Sequence, residues 1–190
     1  MKNIGFCITG SFCTFEKLIP EIKKIVELGY NVVPIFSYSV QDTDTRFYLA
    51  KDFYNDIKEV TGNEPVLTIP GAEPIGPKKS MDLIIIAPCT GNTLAKLANA
   101  ITDTPVLMAA KAHLRNNRPV LVALSTNDGL SANAKNIGEL MNRKNIFFVP
   151  FSQDNHVAKI NSLVAHFDLM IEAMEGAFEG RQIQPVIRGK

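Results

Sequence analysis

The stretch Asp82-Leu83-Ile84-Ile85-Ile86-Ala87, closed by Pro88, constrains this chain more than any other feature. An apolar, β-branched run of that density leaves no face for solvent. It predicts a strand buried on both sides, the position of a central strand in a parallel sheet covered by helices. The run is far too short for a membrane-crossing helix, which needs roughly 20 apolar residues, and Val120 to Leu124 is shorter still. The N-terminus enters Asn3-Ile4-Gly5-Phe6-Cys7-Ile8 directly, without the basic, apolar and small-residue segments of a secretory signal, so a cytoplasmic location is expected.

Around this run, short β-branched segments alternate with amphipathic ones, the pattern of β-α units wound on a parallel sheet. Ile4 to Thr9 reads as a strand, and Thr14 to Leu28 as a helix with Leu18, Ile19, Ile22, Ile25 and Val26 on one face and Gly29 as its stop. Asn31 to Phe36 is a second strand. A helix over Thr45 to Val60 is expected to bury Phe47, Leu49, Phe53, Tyr54 and Ile57. Glu64 to Lys79, dense in proline and glycine, predicts an irregular loop over one sheet edge. After the central strand come helices over Asn92–Ile101 and Pro105–Asn116, a strand over Pro119–Leu124 and a helix over Ala132–Asn142 with Ser131 as N-cap. Ile146–Val149 reads as the last strand and Ser162–Phe178 as a terminal helix. At 190 residues and 46% hydrophobic content, one domain over residues 1–190 is expected, with its core at residues 4–150 and the terminal helix packed on it. The predicted architecture is a three-layer α/β/α, Rossmann-like (flavodoxin-like) parallel sheet.

In such a sheet ligands collect at the carboxyl ends of the strands, where loops and helix N-termini meet. Thr9-Gly10-Ser11 follows the first strand, with Gly10 allowing close backbone approach. It matches neither the ATPase phosphate loop nor the dinucleotide fingerprint. Ser37-Tyr38-Ser39 follows the second strand. Pro88-Cys89-Thr90-Gly91-Asn92-Thr93 follows the central one and offers three short polar side chains where a helix cap uses one. Ser125-Thr126-Asn127-Asp128 repeats the theme after the next strand. Four strand ends rich in hydroxyls and amides, with few charges, predict a site for a phosphorylated planar molecule held by neutral hydrogen bonds.

Other chemistries fit less well. Twenty basic against nineteen acidic side chains, a net charge of +1 and no like-charge block argue against nucleic acid. His113, His156 and His166 lie on separate elements without metal-ligand spacing. Cys7, Cys13 and Cys89 form no C-x-x-C, and Cys89 reads as a small buried residue rather than a nucleophile. Lys78, Lys79, Arg115 and Arg118 read as a solvated face.

Ile8-Thr9-Gly10-Ser11, Ser37 and the stretch from Ile86 to Ala98 followed by Ile101-Thr102-Asp103 resemble the flavoprotein family of phosphopantothenoylcysteine decarboxylase, lantibiotic cysteine decarboxylases and flavin prenyltransferases. The resemblance covers Ile4 to Val149, and its specific part is Ala87 to Asp103. It implies FMN contacts at Gly10, Ser11, Ser37, Pro88, Thr90, Asn92 and Thr93, which with Thr9 make the expected cofactor set. It also implies a homo-oligomer, trimer or dodecamer, with the flavin at a subunit boundary. The chain departs from the family at Ala123-Leu124-Ser125-Thr126-Asn127, where the decarboxylases read Ala-Pro-x-Met-Asn. Pro74 stands where their catalytic histidine is expected, and the arginine of the prenyltransferases is missing near Leu124 and Ser125.

Further segments extend the likeness over nearly the whole chain, to one branch of the family: Thr45-Arg46-Phe47, Pro105 to Lys111, Arg115 to Pro119, Ser125 to Asp128 and Lys144 to Phe148. What that branch implies is one subunit of a two-subunit oxidoreductase that makes a small aromatic dicarboxylate for endospores. NADP is then held by a Rossmann-type partner subunit, and this chain supplies a flavin-type pocket or shapes the substrate site. Because a dicarboxylate calls for cations, Arg46 with Asn127 is the expected substrate pair. No catalytic residue is assigned. The alternatives are a stand-alone FMN-dependent decarboxylase or prenyltransferase, and a non-catalytic nucleotide-binding scaffold.

Overall fold

The computed structural model describes residues 1–189. Five parallel strands form its centre: β1 (Asn3–Ile8), β2 (Asn31–Phe36), β3 (Leu83–Cys89), β4 (Val120–Thr126) and β5 (Ile146–Phe148), in the spatial order β2-β1-β3-β4-β5. Every residue of β3 is buried, as its sequence demands. Period-two alternation divides the core into two layers. Ile4, Phe6, Ile8, Leu83, Ile85 and Leu121 face helices α1 (Phe15–Glu27), α3 (Ala50–Thr61) and α9 (Met170–Phe178). Cys7, Ile84, Ile86, Val120, Val122 and Leu124 face α6 (Gly91–Ala98), α7 (Pro105–Leu114) and α8 (Ala134–Met141). The three-layer architecture is therefore the one expected, and Gly29 ends α1 with φ +87°.

Four local expectations are corrected. The helix expected from Thr45 begins at Ala50, because polar groups of the preceding loop capture the backbone first. Thr45 Oγ1 accepts from the amides of Phe47 and Tyr48, and Asp44 Oδ1 accepts from Ala50 N at 2.9 Å. Phe47 and Leu49 are consequently 42% and 53% exposed rather than buried. A short helix α2 (Tyr38–Asp42) precedes this loop. The proline-rich segment is not wholly irregular: it holds α4 (Ile69–Ala72), capped by Thr68, and α5 (Ile75–Lys78), while Val66 bridges the outer edge of β2 at Ile35. Asn133, not Ser131, is the N-cap of α8.

The largest correction lies at the C-terminal end. β5 is not the last strand, and Ser162–Phe178 is not one helix. β6 (Phe151–Asn155) and β7 (Lys159–Ala165) form an antiparallel hairpin, and the helix begins only at Met170. Asn155 Oδ1 closes the turn by accepting from the amides of Val157 and Ala158 at 3.0 and 2.8 Å. β5 pairs only with Val120 to Val122 of β4, which leaves the carboxyl end of β4 with a free edge. β7 fills that edge, pairing Thr126 with Leu163 and Ser125 with Val164. The residues after α9 then strap the far side: Phe151 N donates to Val186 O and Gln182 brackets the backbone of Phe148.

At the opposite end of the sheet, His113 of α7 is 1% exposed, and its Nε2 has no partner among the described residues. Desolvation, with the nearby Arg118 cation second, lowers its pKa to about 4. The folded state thus keeps this ring neutral where the unfolded chain would protonate it. Stability is undiminished above about pH 6.5 and falls as pH drops towards 4, by on the order of 2–3 kcal/mol. His113→Leu is expected to flatten that acid limb without loss near neutrality, as read from urea midpoints across the range.

Candidate functional site

A cavity of about 700 Å³ opens at the carboxyl ends of β1, β3 and β4. It lies beside the switch point, where the chain leaves β1 for β2 on one side while β3 lies on the other. Hydrogen bonds between the strand-end loops fix its floor. Thr9 Oγ1 donates to Pro88 O at 2.6 Å and accepts from Thr90 N at 3.0 Å, so one hydroxyl clips the loop after β1 to the loop after β3. The Ser11 and Ser125 hydroxyls share a hydrogen bond of 2.6 Å and tie the same loop to the end of β4. Thr90 caps α6, accepting from Thr93 N at 3.3 Å, and its hydroxyl also donates to Thr93 Oγ1.

Two glycines sit where a side chain does not fit. A Cβ on Gly10 would meet Ser39 Oγ at 2.8 Å and the Phe12 ring at 3.3 Å. A Cβ on Gly91 would meet Thr126 Oγ1, Asn133 Nδ2 and Asp128 Oδ1 at 2.5, 2.6 and 2.7 Å. Those last three atoms form a network of their own. Asn133 Nδ2 donates to both oxygens of Asp128 at 2.9 Å, the Thr126 hydroxyl donates to Asp128 Oδ1, and Asn136 holds Asn133 at 2.8 Å. The start of α6 rests directly on this network, so Gly91 sets how closely β4's loop approaches the pocket.

The expected cofactor residues divide into two groups. Gly10, Ser11, Thr90 and Asn92 line the cavity; Thr9, Ser37, Pro88 and Thr93 stand behind them and hold them in place. Ser37 binds Ser39 Oγ at 3.1 Å, and its amide donates to Ile8 O. Asn127 lines the cavity, but Arg46 does not. Its guanidinium lies 4.8 Å over the Phe47 ring in a neighbouring depression, and only Phe47 reaches the main cavity. The sequence did not point to Phe12, Cys13 and Lys17 on the first loop and helix, or to Asp154, Lys159 and Ser162 to Val164 on the hairpin wall. Lys17 could have been found by carrying the strand-end reading one helical turn further. The hairpin residues carried no such signal.

None of His113, His156 and His166 lines the cavity. Burial pushes the Cys7 and Cys89 thiols up, with their mutual repulsion adding at Cys7, so neither presents a thiolate. Among the described residues, no group of three or more His, Cys, Asp and Glu is placed to hold a metal ion. No helix among them is long and apolar enough to cross a membrane.

A parallel sheet of this order, with a hydroxyl-lined cavity at the β1/β3 switch, defines an α/β domain of the kind that binds nucleotides and flavins. Residues 1–174 match the Flavoprotein family, and the chain belongs to it. It is 48% identical to the B subunit of dipicolinate synthase from Bacillus subtilis (strain 168) over 186 residues, 98% of this chain and 93% of that protein. The crystal structure of the dipicolinate synthase B subunit from Bacillus halodurans C is 49% identical, with a TM-score of 0.91 over 100% of this chain and 97% of that one. The dodecameric FMN-dependent Ubix-like decarboxylase from Escherichia coli O157:H7 shares the fold: TM-score 0.62 and 19% identity over 78% of this chain and 79% of that one.

Thr9→Val removes the clip at nearly constant volume and leaves the Pro88 carbonyl and Thr90 amide without their partner. It is expected to lower stability by about 1–3 kcal/mol in chemical denaturation. Gly91→Ala is expected to cost a similar amount, about 1–3 kcal/mol, because its Cβ meets a bonded network rather than a free side chain.

Proposed function

We propose that this chain is the B subunit of a dipicolinate synthase. In this reading it acts with a Rossmann-type A subunit that holds NADP, and the pair oxidises a dihydrodipicolinate-type ring to dipicolinate in the mother cell of a spore-forming bacterium. Loss of two hydrogens from the ring, one as hydride and one as a proton, would call for a hydride acceptor, and NADP on the A subunit would supply it. The observation that carries this reading is the likeness to two dipicolinate synthase B subunits at 48% and 49% identity, each over nearly the full length. The cavity supports it, since no histidine lines it where a stand-alone cysteine decarboxylase would be expected to need one.

The same reading gives the cavity FMN. The chain's own groups fit that ligand. Among the described residues, the amides of Gly10, Phe12, Cys13, Gly91 and Asn92 find no backbone acceptor, and these residues line one cavity together with Ser11 and Thr90. Free N–H groups at helix starts suit a phosphate, and a cavity of about 700 Å³ suits a ligand of that size. The Gly10 cradle, tight against Ser39 and Phe12, admits backbone contact but no side chain. Bound FMN would supply a flat aromatic face and a redox-capable ring. Gly10, Ser11, Thr90 and Asn92 would hold and orient it, with Thr9, Ser37, Pro88 and Thr93 fixing their positions and Asn127 facing the substrate. Exposed Phe47 on the cavity and exposed Leu49 in the neighbouring depression support a homo-oligomer, trimer or dodecamer, that covers them.

Reconstitution with the A subunit, NADP and precursor is expected to produce the ultraviolet absorption of dipicolinate. No product with both subunits folded would overturn the assignment, and carbon dioxide release or a prenylated flavin from the isolated chain would replace it. FMN titration is expected to quench flavin fluorescence, with Asn92→Ala weakening binding about tenfold. A colourless protein that leaves added FMN unquenched would remove the flavin from the reading while leaving the synthase assignment to the first assay.

A further inference from the structure

The charges around the cavity are unevenly satisfied. Asp128 turns its carboxylate inward, where Asn133 and Thr126 occupy it. Asp154 is paired with Lys159 at 2.7 Å on the exposed hairpin rim. Lys17 lines the cavity in the first turn of α1 and enters no ion pair among the described residues. A cation in a helix's first turn faces the positive end of the macrodipole, so this position does nothing for the helix itself. Lys159, on β7 of the hairpin, lines the same cavity as Lys17 and Cys13. Two exposed ammonium groups, from α1 and from the hairpin, therefore belong to one cavity. The same cavity is lined by the neutral groups of Ser11, Thr90 and Asn92 and by Phe12 and Phe47. Arg46, the cation expected from sequence to meet the substrate, lies outside.

We propose that Lys17 and Lys159 form a clamp for a planar dianion, each ammonium taking one carboxylate of a ring dicarboxylate. Lys17 binds directly. Lys159 exchanges the carboxylate of Asp154 for that of the ligand, a cheap exchange because an exposed pair of this kind contributes little. The ring settles between the aromatic side chains while the neutral floor stays free for the cofactor. The substrate class rests on the synthase reading above; the two lysines and their placement rest on the cavity alone. A cofactor phosphate shares the chemistry of a carboxylate, so the test separates the two sources.

The full-length chain, with and without added FMN, is titrated calorimetrically with dipicolinate, with the monocarboxylate picolinate and with FMN itself. Wild type, Lys17→Gln, Lys159→Gln and Arg46→Gln are compared, and circular dichroism confirms that these surface variants fold. Wild type is expected to bind dipicolinate more tightly than picolinate. Each lysine variant is expected to weaken dipicolinate about tenfold and FMN by less than about twofold, with Arg46→Gln unchanged. Equal dipicolinate affinity in wild type and both lysine variants would overturn the clamp while the substrate class stands. A matching loss of FMN would overturn it in favour of a phosphate site. Wild type that binds FMN but no dicarboxylate would overturn the clamp together with the substrate class.

Discussion

Because β3 has no solvent face from Leu83 to Cys89, helices must cover it on both sides and strands must flank it on both edges. β1 and β4 take those edges, and their own alternation then assigns each helix to one layer or the other. The site follows from the same constraint. Three parallel neighbours end at one level, so the loops after β1, β3 and β4 converge whether or not a ligand is there. Thr9 and Ser11 convert that convergence into fixed geometry, since each bonds across from the first loop to another.

The cavity has a second origin in an incomplete pairing. β5 covers only the first half of β4, and the antiparallel β6–β7 hairpin occupies the vacant edge above it. That hairpin stands up from the carboxyl end of the sheet and supplies one wall of the cavity. In this way a sheet-edge problem places Asp154, Lys159 and Leu163 beside residues more than 100 positions earlier in the chain. Gly129, packed against the Leu163 side chain, and Gly91, packed on the Asp128 network, are two places where this assembly tolerates no side chain.

The cavity's chemistry is accordingly layered. Neutral hydroxyls, an amide and free backbone N–H groups form the floor, which suits a phosphorylated planar ligand. Lysines stand at the rim, which suits a small polyanion arriving from solvent.

Local pattern was enough to determine the parallel β-α core, because burial on both faces and period-two alternation are written residue by residue in β1, β3 and β4. It also determined the strand-end residues Gly10, Ser11, Thr90, Asn92 and Asn127, since a strand's end and its polar successors are adjacent in the chain. Only the tertiary structure decided the rest. Thr45 and Asp44 diverted the backbone and left Phe47 exposed, a competition between side-chain and helical hydrogen bonds that periodicity does not register. Residues 151–165 became a hairpin because β4 offered a free edge, and no local signal in those residues reports an edge elsewhere. Arg46 lies outside the cavity that Lys17 and Lys159 line for the same reason: which cations share a cavity depends on how distant segments pack, and that is settled only when the chain is folded.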